Sequence, residues 1–86
     1  QNYPNPFNPE THIDYQLPKS AHVNISIYNL IGMKVKTLVD DDVNAGVYHV
    51  SWDGKDELNK PVSSGIYICK MISKEFVDVK KLTLIK

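Results

Sequence analysis

Ala45 to Ile72 reads AGVYHVSWDGKDELNKPVSSGIYICKMI, two alternating apolar runs that hold the only Trp of the chain between them. Tyr48, Val50 and Trp52 fall on one face of the first run, and Tyr67, Cys69 and Met71 on one face of the second. That period of two is the mark of a half-buried strand. The intervening WDGKDELNKPVSSG is turn chemistry: Asp53-Gly54 tolerates positive φ, Pro61 lacks a donor and Gly65 opens the second strand. Neither a helix nor a continuous strand passes through it.

The flanking sequence follows the same logic. Upstream, His22 to Asn29 places Val23, Ile25 and Ile27 on one face and Asn24, Ser26 and Tyr28 on the other. Leu30-Ile31-Gly32 turns the chain, with Gly32 in the left-handed position, and Met33 to Val39 returns antiparallel. Val35 and Leu38 are its natural core residues, and their spacing requires a bulge near Lys36-Thr37. Asp40-Asp41-Asp42 reads as a solvated turn. Further upstream, Thr11 to Leu17 alternates, with Ile13, Tyr15 and Leu17 inward and His12, Asp14 and Gln16 outward. Downstream, Ser73-Lys74-Glu75 is a polar turn before a last strand from Phe76 to Lys86. Val77 and Val79 are read as one face of it and Leu82 and Leu84 as inward after a slip. Six or seven short strands without a helical period predict an all-β, antiparallel, Ig-like or fibronectin-III-like β-sandwich of about seven strands.

Composition bounds the function. Eighty-six residues make one domain, burying roughly 60% of the surface its unfolded chain exposes. No apolar run approaches the length of a membrane span. The formal net charge is +0 and all ten basic residues are Lys, so there is no bidentate fork for phosphate or guanine, and a nucleic-acid partner is not expected. Cys69 cannot form an internal disulfide and reads as a small core hydrophobe. Residues 1–10 are Pro-rich and extended, a junction segment that Tyr3 and Phe7 would anchor onto the sandwich of residues 11–86. A start on Gln without a leader suggests a piece of a longer protein.

Candidate constellations are few. His12, His22 and His49 lie on strands without metal-ligand spacing. Asp53, Asp56, Glu57 and Asn59 are the candidates for calcium, but their spacing does not match the twelve-residue calcium loop, and Asp53 beside Gly54 is also an ordinary turn former. No nucleophile elbow, glycine-rich phosphate loop or facing carboxylate pair is present, and neither enzymatic activity nor a cofactor is expected. Tyr28 and Tyr3 could stack on sugar rings.

The opening QNYPNPFNPETHIDYQLP, the pair VNISIYNLIGMKVKTL, the segment AGVYHVSWDGKDELNKPVSSGIY and the ending KKLTLIK resemble, in order, the blocks of type IX secretion C-terminal sorting domains. They are similar to the branch whose fold is like the immunoglobulin-like domain of flagellar hook-capping proteins. Asn59 stands where that family commonly has Gly, and Cys69 where an aromatic is frequent. The resemblance implies a non-catalytic C-terminal module that directs an upstream cargo domain of the same polypeptide, by way of the periplasm, to the cell surface or medium of a Gram-negative bacterium. Its implied partners are the type IX translocon and a sortase-like peptidase. Translocon recognition would fall to Lys81, Leu82, Leu84 and Lys86, and the junction to Tyr3, Pro4, Asn5 and Pro6. A terminal strand at a sheet edge would serve such recognition by β-augmentation. Two other classes stand beside this one: a carbohydrate-binding or spacer module, and a structural domain of the flagellar cap type.

Overall fold

The computed structural model describes residues 10–74 and 76–85. Six strands follow one another: β1 (Thr11–Leu17), β2 (Ala21–Tyr28), β3 (Lys34–Val43), β4 (Gly46–Trp52), β5 (Gly65–Ser73) and β6 (Val77–Leu84). They form an antiparallel two-layer sandwich. One sheet has the order β3-β2-β5-β6 and the other is the pair β1-β4. The described residues thus carry six strands where about seven were expected. Residues 1–9, on which most of the proposed junction segment falls, lie outside the described residues.

The alternation read from the sequence sets the faces. Ile13 and Leu17 of β1 and Trp52 of β4 are buried against Val23, Ile25 and Ile27 of β2, Tyr67, Cys69 and Met71 of β5, and Leu84 of β6. Trp52 is 0% exposed and meets Tyr67 edge to face, ring centroids 5.1 Å apart. Each such side chain removed from water contributes about 1.5–3 kcal/mol. Two tyrosines add polar anchors at strand entries. Tyr48 Oη donates to the Asn44 carbonyl and Tyr67 Oη to the Ser63 carbonyl, both at 2.6 Å. Each hydroxyl pins the chain four residues upstream, as the buried tyrosine at the corner of many Ig-like sandwiches does.

The β2–β3 hairpin turns at Gly32 (φ 88°), where a backbone that L-residues avoid is required. Asn29 closes the turn by accepting from the Ile31 and Met33 N–H groups at its Oδ1. Its register breaks twice, between Ile25 and Ser26 and between Ile27 and Tyr28. Leu38 and Val35 are therefore the unpaired residues of β3, and the bulges flank the expected Lys36-Thr37 position.

Two expectations are corrected. Asp40, Asp41 and Asp42 are not a turn but the continuation of β3, paired with Asn24, Val23 and His22. In β6 the register with β5 runs without a break from Ile72↔Val77 to Gly65↔Leu84, so there is no bulge between Val79 and Leu82. Val77 and Val79 consequently face outward, while Asp78 and Lys80 share the inner side with Leu82 and Leu84. The two-stranded layer is too narrow to cover the start of β6, which lets a carboxylate and an ammonium occupy that side in contact with water.

Candidate functional site

Three places hold the residues singled out from the sequence: the loop after Trp52, the polar ladders on the sheet surfaces, and β6.

The loop is built on the indole. Trp52 Nε1 donates to the Lys55 carbonyl at 2.9 Å, and a Lys55↔Pro61 bridge narrows the loop's neck. Gly54 (φ 76°) and Asn59 (φ 64°) supply the two left-handed residues. The calcium candidates are committed elsewhere. Asp53 Oδ1 accepts from the Lys55 N–H at 3.1 Å and stands 3.8 Å from Lys36 Nζ. Asp56 Oδ1 accepts from the Leu58 and Lys60 N–H groups at 2.9 and 3.0 Å, and Glu57 Oε1 from the Thr37 N–H at 2.9 Å, tying the loop to β3. These oxygens cap backbone donors, and among the described residues no group of three or more His, Cys, Asp or Glu side chains converges in a way that could hold a metal.

Each histidine sits in a cross-strand ladder. His22 lies between two carboxylates, its Nε2 2.7 Å from Asp40 Oδ1 and its Nδ1 2.8 Å from Asp42 Oδ1. Both nitrogens can donate at once only as the imidazolium, so the hydrogen bonds to Asp40 and then Asp42 raise the His22 pKa. Asp40 is lowered in turn, chiefly by its hydrogen bond from His22. His49 Nδ1 lies 2.6 Å from Asp14 Oδ1, and that hydrogen bond lowers the Asp14 pKa. The signal for the His22 ladder is present in the sequence, since Asp40 and Asp42 are two apart and share a strand face, but a run of three aspartates has the composition of a turn.

His12 Nδ1 lies 3.0 Å from Ser51 Oγ and its Nε2 lies 3.4 Å from Glu10 Oε1. A serine, a histidine and a carboxylate in line have the makings of nucleophilic catalysis, but this row stands on an exposed sheet surface. A substrate carbonyl there would sit in bulk water, where hydrogen-bond donors to a developing oxyanion lose most of their worth. Cys69 is buried, and burial raises the pKa of its thiol, which disfavours the thiolate needed of a nucleophile. An apolar cleft of about 180 Å³ at one end of the sandwich, lined by Leu17, Pro18, Ala21 and Phe76 among others, is smaller than a drug-sized pocket of about 300–1,000 Å³.

β6 is the edge of the larger sheet. Leu84 is 2% exposed, in the core, and Leu82 packs against the core half-buried. Lys81 is exposed on the outer face, and Lys80 Nζ crosses between layers to donate to the Asp14 carbonyl at 3.1 Å. Lys86, like the junction residues Tyr3, Pro4, Asn5 and Pro6, lies outside the described residues. Tyr28 is half-buried on the outer face of β2, flanked across the ladders by Lys34 and Ile68.

The family model of the FlgD Ig-like domain matches residues 7–75. The chain belongs to the FlgD Ig-like domain family. In the solved structure of FLGD from P. aeruginosa, a similar fold is found at TM-score 0.67 and 25% sequence identity, covering 87% of this chain and 57% of that one. The chain thus spans little more than half the length of that FLGD chain. No curated protein matches it. These findings correct the more specific of the two expectations raised by the resemblance. The hook-capping Ig-like fold stands, whereas both matches are to FlgD and neither is to a type IX sorting domain. The sorting function falls with it, as do the type IX translocon and the sortase-like peptidase as partners. The carbohydrate-binding alternative finds no support in either match.

Proposed function

We propose that this chain is a non-catalytic assembly module of the flagellar hook-capping type, working outside the cell as one Ig-like unit of a larger protein. The observation that carries the reading is the family match over residues 7–75, and the similarity to FLGD of P. aeruginosa supports it. The chemistry is compatible. Carboxylates of the tryptophan loop are spent on backbone N–H groups, and the surface histidines are paired across strands. What the fold offers is a rigid two-layer body with ordered sheet faces and edges, which is what a scaffold needs to hold protein neighbours in fixed relation. Components of the flagellar hook and rod are the partners this reading names.

The test is binding of the 86-residue chain to purified hook and rod subunits by surface plasmon resonance, alongside hook length in cells whose parent gene lacks the segment encoding residues 10–85. Saturable binding together with absent or misformed hooks supports the proposal. Hooks of normal length in the deletion strain and no binding to either class of subunit overturn it.

A further inference from the structure

We propose that the free edge of β6 is a self-pairing surface, and that two copies of this chain join there antiparallel about a dyad at Val79. The proposal rests on β6 alone and is independent of the hook-capping reading.

Hydrogen-bond parity comes first. The Ser73 N–H donates to the Phe76 carbonyl at 2.9 Å, which makes Ser73 and Phe76 a hydrogen-bonded pair at the mouth of the β5–β6 hairpin. The register is unbroken from there to Leu84, and in an antiparallel ladder the hydrogen-bonded pairs alternate. The N–H and C=O groups of Asp78, Lys80, Leu82 and Leu84 therefore point to β5. Those of Val77, Val79, Lys81 and Thr83 point away from it, toward the open side of the sheet, where no further strand lies among the described residues.

Of the two edges of the larger sheet, β3 is the irregular one. β3 carries two bulges and three successive aspartates, devices that discourage edge pairing. On β1 the Asp14 carbonyl is taken by Lys80. β6 is regular over its whole length and exposes apolar side chains along its outer face, Val77 at 58% and Val79 at 56%.

Charge then selects the occupant and the register. A dyad perpendicular to the sheet keeps inner and outer faces in common, so opposed residues must share a face. With the dyad at Val79, Val79 meets Val79 as a hydrogen-bonded pair and Val77 meets Lys81. Asp78 meets Lys80 of the second copy, twice, in non-hydrogen-bonded positions where side chains approach most closely. Moving the dyad by one residue sets Asp78 against Asp78 or Lys80 against Lys80, and by two residues toward the C-terminus sets Lys81 against Lys81. Of the registers centred from Asp78 to Lys81, only the one at Val79 sets opposite charges against each other and no like charges. Lys80 has three donors and can keep the Asp14 carbonyl while meeting the second carboxylate. The product is an eight-stranded sheet, β3-β2-β5-β6 continued by its copy.

The experiment is sedimentation equilibrium of the chain up to about millimolar concentration, the range suited to a small, transient interface. A species of twice the 9.8 kDa monomer mass is expected. Asp78→Lys and Lys80→Asp should each weaken it by about tenfold or more, since each opposes like charges twice. An equimolar mixture of those two variants should associate again, because every opposed pair in the mixed dimer is then of opposite sign. Val79→Pro removes a donor that points away from β5, so it should abolish association while circular dichroism shows the fold intact. A wild-type chain that stays monomeric throughout, a dimer that survives Val79→Pro, or single charge variants that fail to recover on mixing would each overturn the proposal.

Discussion

Trp52 donates its indole N–H to the main-chain carbonyl of Lys55, so the largest side chain of the core also holds the loop that leaves it. Packing and loop geometry are thereby coupled through one residue. Trp52→Phe keeps an aromatic ring but orphans that carbonyl and leaves a void, and should cost about 2–4 kcal/mol. Urea denaturation followed by circular dichroism measures it. The substituted protein should also lose protection of loop amides in hydrogen exchange, which a pure packing defect would spare.

Backbone conformation makes a separate prediction. Asn59 sits at φ 64° and Gly32 at φ 88°, and a Cβ at Gly32 meets nothing within 4 Å. The cost of Gly32→Ala is therefore conformational, about 1–2 kcal/mol. Asn59→Gly should fall within a few tenths of a kcal/mol of wild type, while Asn59→Val should lose about 1–2 kcal/mol or more. Thermal melts of the three variants rank them.

At the C-terminal end, adjacent residues should differ sharply. Leu84→Ala empties a buried site and should cost about 2–5 kcal/mol. Ile85, exposed beside it, should tolerate Ala within about 0.5 kcal/mol. Chemical denaturation of both variants checks the contrast, and equal losses would place Ile85 in the core.

The His22 ladder ties stability to pH. Because its folded pKa is raised above 6.5, the stabilisation from His22 is fully present below that value and fades as pH rises through the folded pKa. Asp40, lowered from 3.8, contributes above 3.8 and loses its contribution as pH falls through its own folded value. The clamp is strongest between those limits. NMR titration should place the His22 inflection above 6.5, and Asp40→Asn should bring it down. The difference in melting temperature between wild type and His22→Gln should shrink from about pH 5.5 to about pH 9.

Much of this architecture is legible in the chain because alternation and burial agree. Ile13, Leu17, Val23, Ile25, Ile27, Tyr67, Cys69 and Met71 all face the core as their spacing requires. Elsewhere local pattern and tertiary setting part company. Ser26 lies on the outward face of β2 yet is 0% exposed. Strands on both sides cover it, and its hydroxyl donates to Asn24 Oδ1 at 2.8 Å. Asp40 to Asp42 have the composition of a loop, but the strand opposite supplies His22 to meet two of them. In β6 the apolar spacing suggests a slip between Val79 and Leu82. The unbroken pairing with β5 leaves no room for it, and no window of one strand reveals which side its neighbours leave open. For the proposed site the chain marked β6 but not its parity, which depends on a hydrogen bond in the preceding turn.

The β1–β4 pair joins Thr11 to Trp52 and Leu17 to Gly46, with the whole β2–β3 hairpin strung between them. Its closure entropy must be met before either strand is rewarded by contact, and the surface both cover is finished only when β5 arrives. With the still longer closure between β2 and β5, the chain should reach its native state on the millisecond-to-second scale of non-local β proteins.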